Sequence, residues 1–165
     1  MKRWMLRVVL AVGLAAFGFW CWQTWFPSPE EAIRKQLTEL TQLASFAPNE
    51  APAAKLLNSE KLAGFFTSDV RIEFDAAGWQ QTLSGHDQLF QAAMALRQNF
   101  GGFKVKFIDI NIALGPDGQS AITDLTAKGK LDDDKDLIVE ELKFSLKKVK
   151  GTWLINRAET VKTLR

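Results

Sequence analysis

Apolar and polar positions along this chain change period several times, and each change marks an element. Lys2, Arg3 and Arg7 precede an apolar run from Val8 to Trp22, which Trp20, Trp22, Trp25 and Phe26 close. Residues 4–26 supply the roughly 20 apolar positions that a spanning helix needs, provided Arg7 snorkels to the headgroups. The tryptophans fall where an interfacial aromatic belt belongs, and the early basic residues predict a cytoplasmic N-terminus. The sequence therefore predicts a single-pass anchor over residues 1–26, with residues 27–165 forming a domain on the periplasmic or extracellular side. A cleaved signal is the alternative. It would end in small residues, whereas this run ends Phe17-Gly18-Phe19-Trp20-Cys21-Trp22, and Gly13-Leu14-Ala15 would leave too short a core.

Beyond the anchor the helical period takes over. Ser28-Pro29-Glu30-Glu31 is a helix start with a capping box, and Ile33, Leu37, Leu40 and Ala44 mark one buried face of a helix ending near Ser45. Phe46 to Pro52 reads as a loop with two prolines, a candidate lid. Ala53 to Phe66 is a second helix, with an interruption expected at Asn58-Ser59. Val70 to Phe74 alternates as a strand, Asp75 to Gly78 turns, and Trp79 to Leu83 returns. Ser84 and Asp87 predict a second capped start, for a helix running to Gly101. Three long alternating runs follow, Phe103–Leu114, Ser120–Leu131 and Leu137–Val149, and Lys150-Gly151 turns the chain into a last strand from Trp153 to Val161.

Helices first, one hairpin between helices, then a meander make an α+β domain. Its curved antiparallel sheet would wrap three helices and leave a cone-shaped pocket. The segment Leu62-Ala63-Gly64-Phe65-Phe66-Thr67-Ser68-Asp69-Val70-Arg71-Ile72 resembles the end of the second helix and the first strand of the nuclear transport factor 2-like superfamily, which includes SnoaL-like cyclases. Leu83-Ser84-Gly85-His86-Asp87 and Lys150-Gly151-Thr152-Trp153-Leu154-Ile155 resemble the family's approach to helix three and its last hairpin. The likeness covers roughly residues 30–163. It implies the cone fold and a homodimer through the exposed sheet face. It does not select among isomerases, dehydratases, cyclases, ligand carriers and assembly modules.

Composition narrows the chemistry. The chain has a net charge of +2, but three of its 21 basic residues lie in the first seven positions, so residues 27–165 carry 18 basic against 19 acidic groups. A domain so near neutral gives no electrostatic case for nucleic acid. Lys104/Lys106, Lys128/Lys130 and Lys147/Lys148/Lys150 read as solvated sheet faces. Cys21 is the one cysteine, which excludes an intrachain disulfide. One histidine and no tyrosine remove the oxyanion-hole tyrosine that a ketosteroid isomerase needs and the tyrosine–histidine sets of scytalone dehydratase-like sites. The run Asp132-Asp133-Asp134-Lys135-Asp136 lacks the glycine and alternation of a calcium loop, and no metal-ligand set or cofactor motif is present.

The candidate site residues are polar positions in phase with apolar strand faces. Asp109 follows Val105 and Phe107; Glu140 sits among Ile138, Leu142 and Phe144; Arg157 follows Trp153 and Ile155. All three are thereby expected to point inward, Asp109 and Glu140 as proton carriers or as partners of Arg157. A one-residue slip would turn any of them outward. His86, one turn before Phe90, is a third proton-carrier candidate at the pocket mouth, with Asp75 and Trp79 at its rim. Membrane anchorage and a site without a convergent acid and base favour a non-catalytic assembly or small-ligand-binding module. A SnoaL-like cyclase, isomerase or hydrolase acting on a small apolar substrate is the alternative.

Overall fold

The computed structural model describes residues 28–161 apart from 77–78 and 133–136. The predicted membrane segment lies outside the described residues, among which no helix is long and apolar enough to cross a membrane. Helix α1, Pro29–Ala44, begins with the predicted box. The Ser28 hydroxyl accepts the Glu31 N–H at 3.2 Å, and the Glu31 carboxylate accepts the Ser28 N–H at 3.3 Å. Such reciprocal caps satisfy two donors that the first turn otherwise orphans. Ile33, Leu37 and Leu40 form its buried stripe.

Helix α2, Pro52–Ala63, runs without the interruption expected at Asn58-Ser59. Asn58 donates from its side chain to the Glu50 carboxylate at 2.6 Å, and Ser59 is fully buried. Their side chains turn to tertiary partners and packing, so neither breaks the helix. Helix α3, Gly85–Asn99, lacks the predicted Ser84 cap. Ser84 closes strand β2, and its N–H is taken instead by the Gln88 side chain at 2.8 Å.

Six strands form one sheet: β1 Phe66–Ala76, β2 Trp79–Ser84, β3 Phe103–Leu114, β4 Ser120–Leu131, β5 Leu137–Val149 and β6 Thr152–Thr160. The order is β2-β1-β6-β5-β4-β3, antiparallel throughout except where β1 lies parallel to β6. This parallel pair departs from the purely antiparallel sheet that the sequence predicts, and β1 is also longer than the alternation of Val70–Phe74 suggests. Lys150 (φ 50°) and Gly151 (φ 87°) make the two-residue turn between β5 and β6, a geometry that needs positive φ at both positions. In the β3–β4 turn the Asp117 carboxylate accepts the Gln119 N–H, the Ser120 hydroxyl and the Ser120 N–H, which together hold it below the usual aspartate range.

Register shifts occur in β1 between Phe66 and Arg71, in β3 and in β6, and the last two reset the faces on which the candidate residues fall. In β3 the register advances from Ile108↔Thr126 to Asn111↔Asp124, so β3 has one residue more than β4 over that span, and Asp109 there takes φ 52°. In β6 it advances from Ile155↔Leu146 to Arg157↔Ser145, leaving Asn156 as the extra residue. The inner face packs on the helices through Leu125, Leu142, Phe144, Leu146, Trp153 and Ile155.

Edge strand β3 is met from Phe103 to Ile110 by α1 and the residues after it. Phe46 and Phe103 exchange N–H···O bonds of 2.8 and 3.0 Å. The Ser45 hydroxyl accepts the Val105 N–H at 3.0 Å, and Arg34 reaches the Ile110 carbonyl at 3.4 Å. An edge covered in this way does not offer its unpaired backbone to another chain.

Candidate functional site

A cavity of about 320 Å³ lies inside the cone, between helices and sheet. The helices contribute Leu40, Ala44, Leu62 and Leu89 to its wall, and the sheet contributes Phe66, Phe74, Phe103, Phe107 and Phe144. Glu140 is the only polar side chain in that wall among the described residues. Phe74 and Ile138, 41% and 45% exposed, mark where it opens, at the end of the cone where β1 meets β2 and β4 meets β5. Gly129 shapes this end. A Cβ there would meet the Phe103 ring at 3.1 Å, so the missing side chain lets that ring lie across β4. Two broader clefts of about 510 and 650 Å³ flank α1. They are walled partly by exposed helix residues such as Thr38, Gln42, Lys35 and Glu39 and lie outside the cone.

Of the residues expected to point inward, only Glu140 does. Asp109 is exposed on the outer side. The bulge turns it out and brings Ile110 and Ile112 onto the core in its place. Arg157 is corrected for the same reason, since Asn156 shifts the phase and Ala158 takes the buried position. The Arg157 guanidinium instead meets Glu73 at 3.4 Å and Glu159 at 3.0 Å on the solvent face, where Glu73 also holds Arg71 at 2.7 Å. His86 is half-buried in the first turn of α3, and neither it nor Phe90 lines the cavity; Phe90 packs against the core. Asp75 lies in β1 with its N–H bonded to the Thr160 hydroxyl at 3.3 Å. The backbone of Trp79 pairs with Ala76, and its side chain lies outside the described part. Among the described residues no three His, Cys, Asp or Glu side chains gather as a metal site.

A buried ion pair absent from the sequence-based candidates ties the loop between α1 and α2 to α3. Arg97, 2% exposed, holds Glu50, 11% exposed, with Nη1 at 2.7 and 3.0 Å from the two carboxylate oxygens. Its Nη2 donates to the Leu43 carbonyl, and its guanidinium lies 5.1 Å from the centre of the Phe46 ring. Lys55 closes the group by donating to the Arg97 carbonyl at 2.8 Å. The loop expected as a lid is thus pinned at both ends, by the Phe46–Phe103 bridge and by Glu50. The sequence does carry a signal for Arg97, which stands on the apolar stripe of α3, eight residues after Leu89 and four after Ala93. An arginine in phase with a buried face requires a buried partner.

The backbone has solved counterparts. A nuclear transport factor 2-like protein with a cystatin-like fold from Novosphingobium aromaticivorans matches at TM-score 0.59 and 15% identity, covering 92% of this chain and 86% of its own. The fold is nuclear transport factor 2-like. A proposed scytalone dehydratase from the same species matches at TM-score 0.60 and 16% identity over 82% of this chain and 84% of its own. The protein Aln2 from a Streptomyces species matches at 0.62 and 16% over 83% and 94%. No family model matches the sequence, and no match to a curated protein was found. At these identities the likeness carries the fold alone.

Proposed function

We propose that this nuclear transport factor 2-like domain is a membrane-tethered holder of a small apolar molecule. The observation that carries the proposal is an open apolar cavity with one carboxylate in its wall. An aliphatic and aromatic cavity of about 150 Å³ accepts one benzene; at about 320 Å³ this one suits a two-ring molecule. Five phenylalanines supply faces and edges for ring packing. Glu140 stands in this wall, and its side chain turned toward the cavity would offer a hydrogen-bond acceptor, selecting a ligand with one donor and disfavouring one with a negative charge. Proton transfer of the usual kind needs a converging acid and base, and no second ionisable group lines the described wall. Holding is therefore favoured over turnover. Acid–base catalysis by Glu140 alone is the second reading, supported by the fold likeness to a proposed dehydratase.

Three two-ring probes separate these readings when titrated into a protein spanning residues 27–165. We expect 2-naphthol to bind about 10- to 100-fold more tightly than naphthalene, the span of a hydrogen bond to a charged group, and 2-naphthoate to bind weakest. Glu140→Leu should abolish that ranking and keep naphthalene binding. No binding of naphthalene or 2-naphthol would defeat the ligand reading. Conversion of a bound hydroxylated substrate that Glu140→Gln abolishes would replace holding by catalysis.

A further inference from the structure

We propose that the outer sheet face at the open end docks the domain onto an anionic lipid surface. Strand register builds the patch. Lys104 lies directly across from Lys130, and Lys130 from Leu137; one step along, Lys106 lies across from Lys128, and Lys128 from Val139. Two lysines and one aliphatic residue thus form each of two adjacent rows. All four lysines are exposed, and Leu137 and Val139 are 55% and 49% exposed. Like charges directly opposite one another destabilise a sheet, and the exposed aliphatics beside them do nothing to offset that cost. An anionic, partly apolar partner would relieve both.

Lysine is a strongly hydrated point charge on a flexible stem, suited to diffuse phosphate headgroups rather than to a shaped bidentate contact. A second copy is the poorer occupant, because a two-fold contact centred on this patch would bring lysine blocks together. Between Leu131 and Leu137 the sequence also carries Asp132, Asp133, Asp134 and Asp136, so the net charge of this stretch is not strongly positive. The patch is therefore a short-range contact surface.

The tether fits this orientation, and the inference rests on the anchorage proposed above. Helix α1 runs alongside β3, with Ser45 at Val105 and Arg34 at Ile110. Ser28, next to the proposed anchor, lies six residues before Arg34, about 9 Å further along at the helical rise. Laying the outer face of β3 and β4 along the bilayer from that point brings the lysine rows to the headgroups.

The test uses the full-length protein in nanodiscs of phosphatidylcholine with or without phosphatidylglycerol. Retention in the disc through an alkaline carbonate wash reads the anchor separately from the patch. Acylation of Lys104, Lys106, Lys128 and Lys130, followed by mass spectrometry, should slow by about fivefold or more in the anionic discs, the factor one lysine contributes at such a surface. Lys35 and Lys61, on the helices, should label equally in both. Leu137→Asp with Val139→Asp should restore fast labelling of the four lysines. Equal labelling in the two discs would overturn the proposal. So would protection that needs no lipid and grows with protein concentration, pointing to a second copy, or protection conferred more strongly by a polyglutamate peptide than by lipid.

Discussion

Arg97 shows how a single buried charge is tolerated. Its guanidinium has a carboxylate, a carbonyl and an aromatic face as partners, so the cost of leaving water is offset on several sides. Removing one partner is then worse than removing both. Arg97→Ala should destabilise residues 27–165 by about 3–5 kcal/mol, because Glu50 is left as an uncompensated buried charge. The double variant Arg97→Met with Glu50→Leu should recover much of that loss. Urea midpoints compared at equal slope would decide it. If the double variant were as unstable as the single one, Arg97 would be contributing packing volume rather than charge compensation. Glu140 is the opposite case, an acidic residue in an apolar wall with space beside it, which is why the proposed ligand is assigned to it and not to Glu50.

At the scale of elements, the β3 bulge decides which residues can serve the cavity. Asp109 holds φ 52°, a left-handed conformation that costs most side chains roughly 1–2 kcal/mol and that Asp, Asn and Gly adopt more readily. Asp109→Ile should therefore lower unfolding stability by about 1–2 kcal/mol, while Asp109→Gly and Asp109→Asn stay close to the parent in the same measurement. A Gly variant as unstable as Ile would mean that the Asp side chain, and not the backbone, holds the bulge. This also explains what could be read in advance. The limits of β3, β4 and β5 were legible because long alternating runs end at glycine, proline and aspartate turns, and the α1 start was legible because a capping box is local. The facing of Asp109 and Arg157 was not. One extra residue inverts the period-two pattern, and apolar neighbours on both sides, as at Phe107-Ile108, conceal where it is inserted. The parallel β1–β6 pairing was hidden because it joins the first and last strands, with no local turn to announce it.

At the scale of the described domain, a well-pinned frame surrounds a cavity of about 320 Å³ that its side chains leave open. Bulged strands curve the sheet, α1 straps its edge, and the Glu50–Arg97 pair fixes the loop between α1 and α2. An empty apolar space is a cost to stability that a protein retains when something binds there. Ala44, half-buried at the end of α1 and part of the cavity wall, allows this to be tested without disturbing the sheet. Ala44→Leu places three more carbons in the cavity at a helix end where leucine costs little relative to alanine. At about 0.8 kcal/mol per buried methylene, discounted for partial exposure, stability should rise by about 1–2 kcal/mol. Binding of 2-naphthol should fall at the same time, because the added side chain and the ligand compete for one volume. Greater stability with undiminished binding would put the ligand outside the cone, in a cleft beside α1. Lower stability would mean that the cone is already closely packed around Ala44. Only the opposed pair of changes, firmer folding with weaker binding, is what a cavity kept open for a ligand requires.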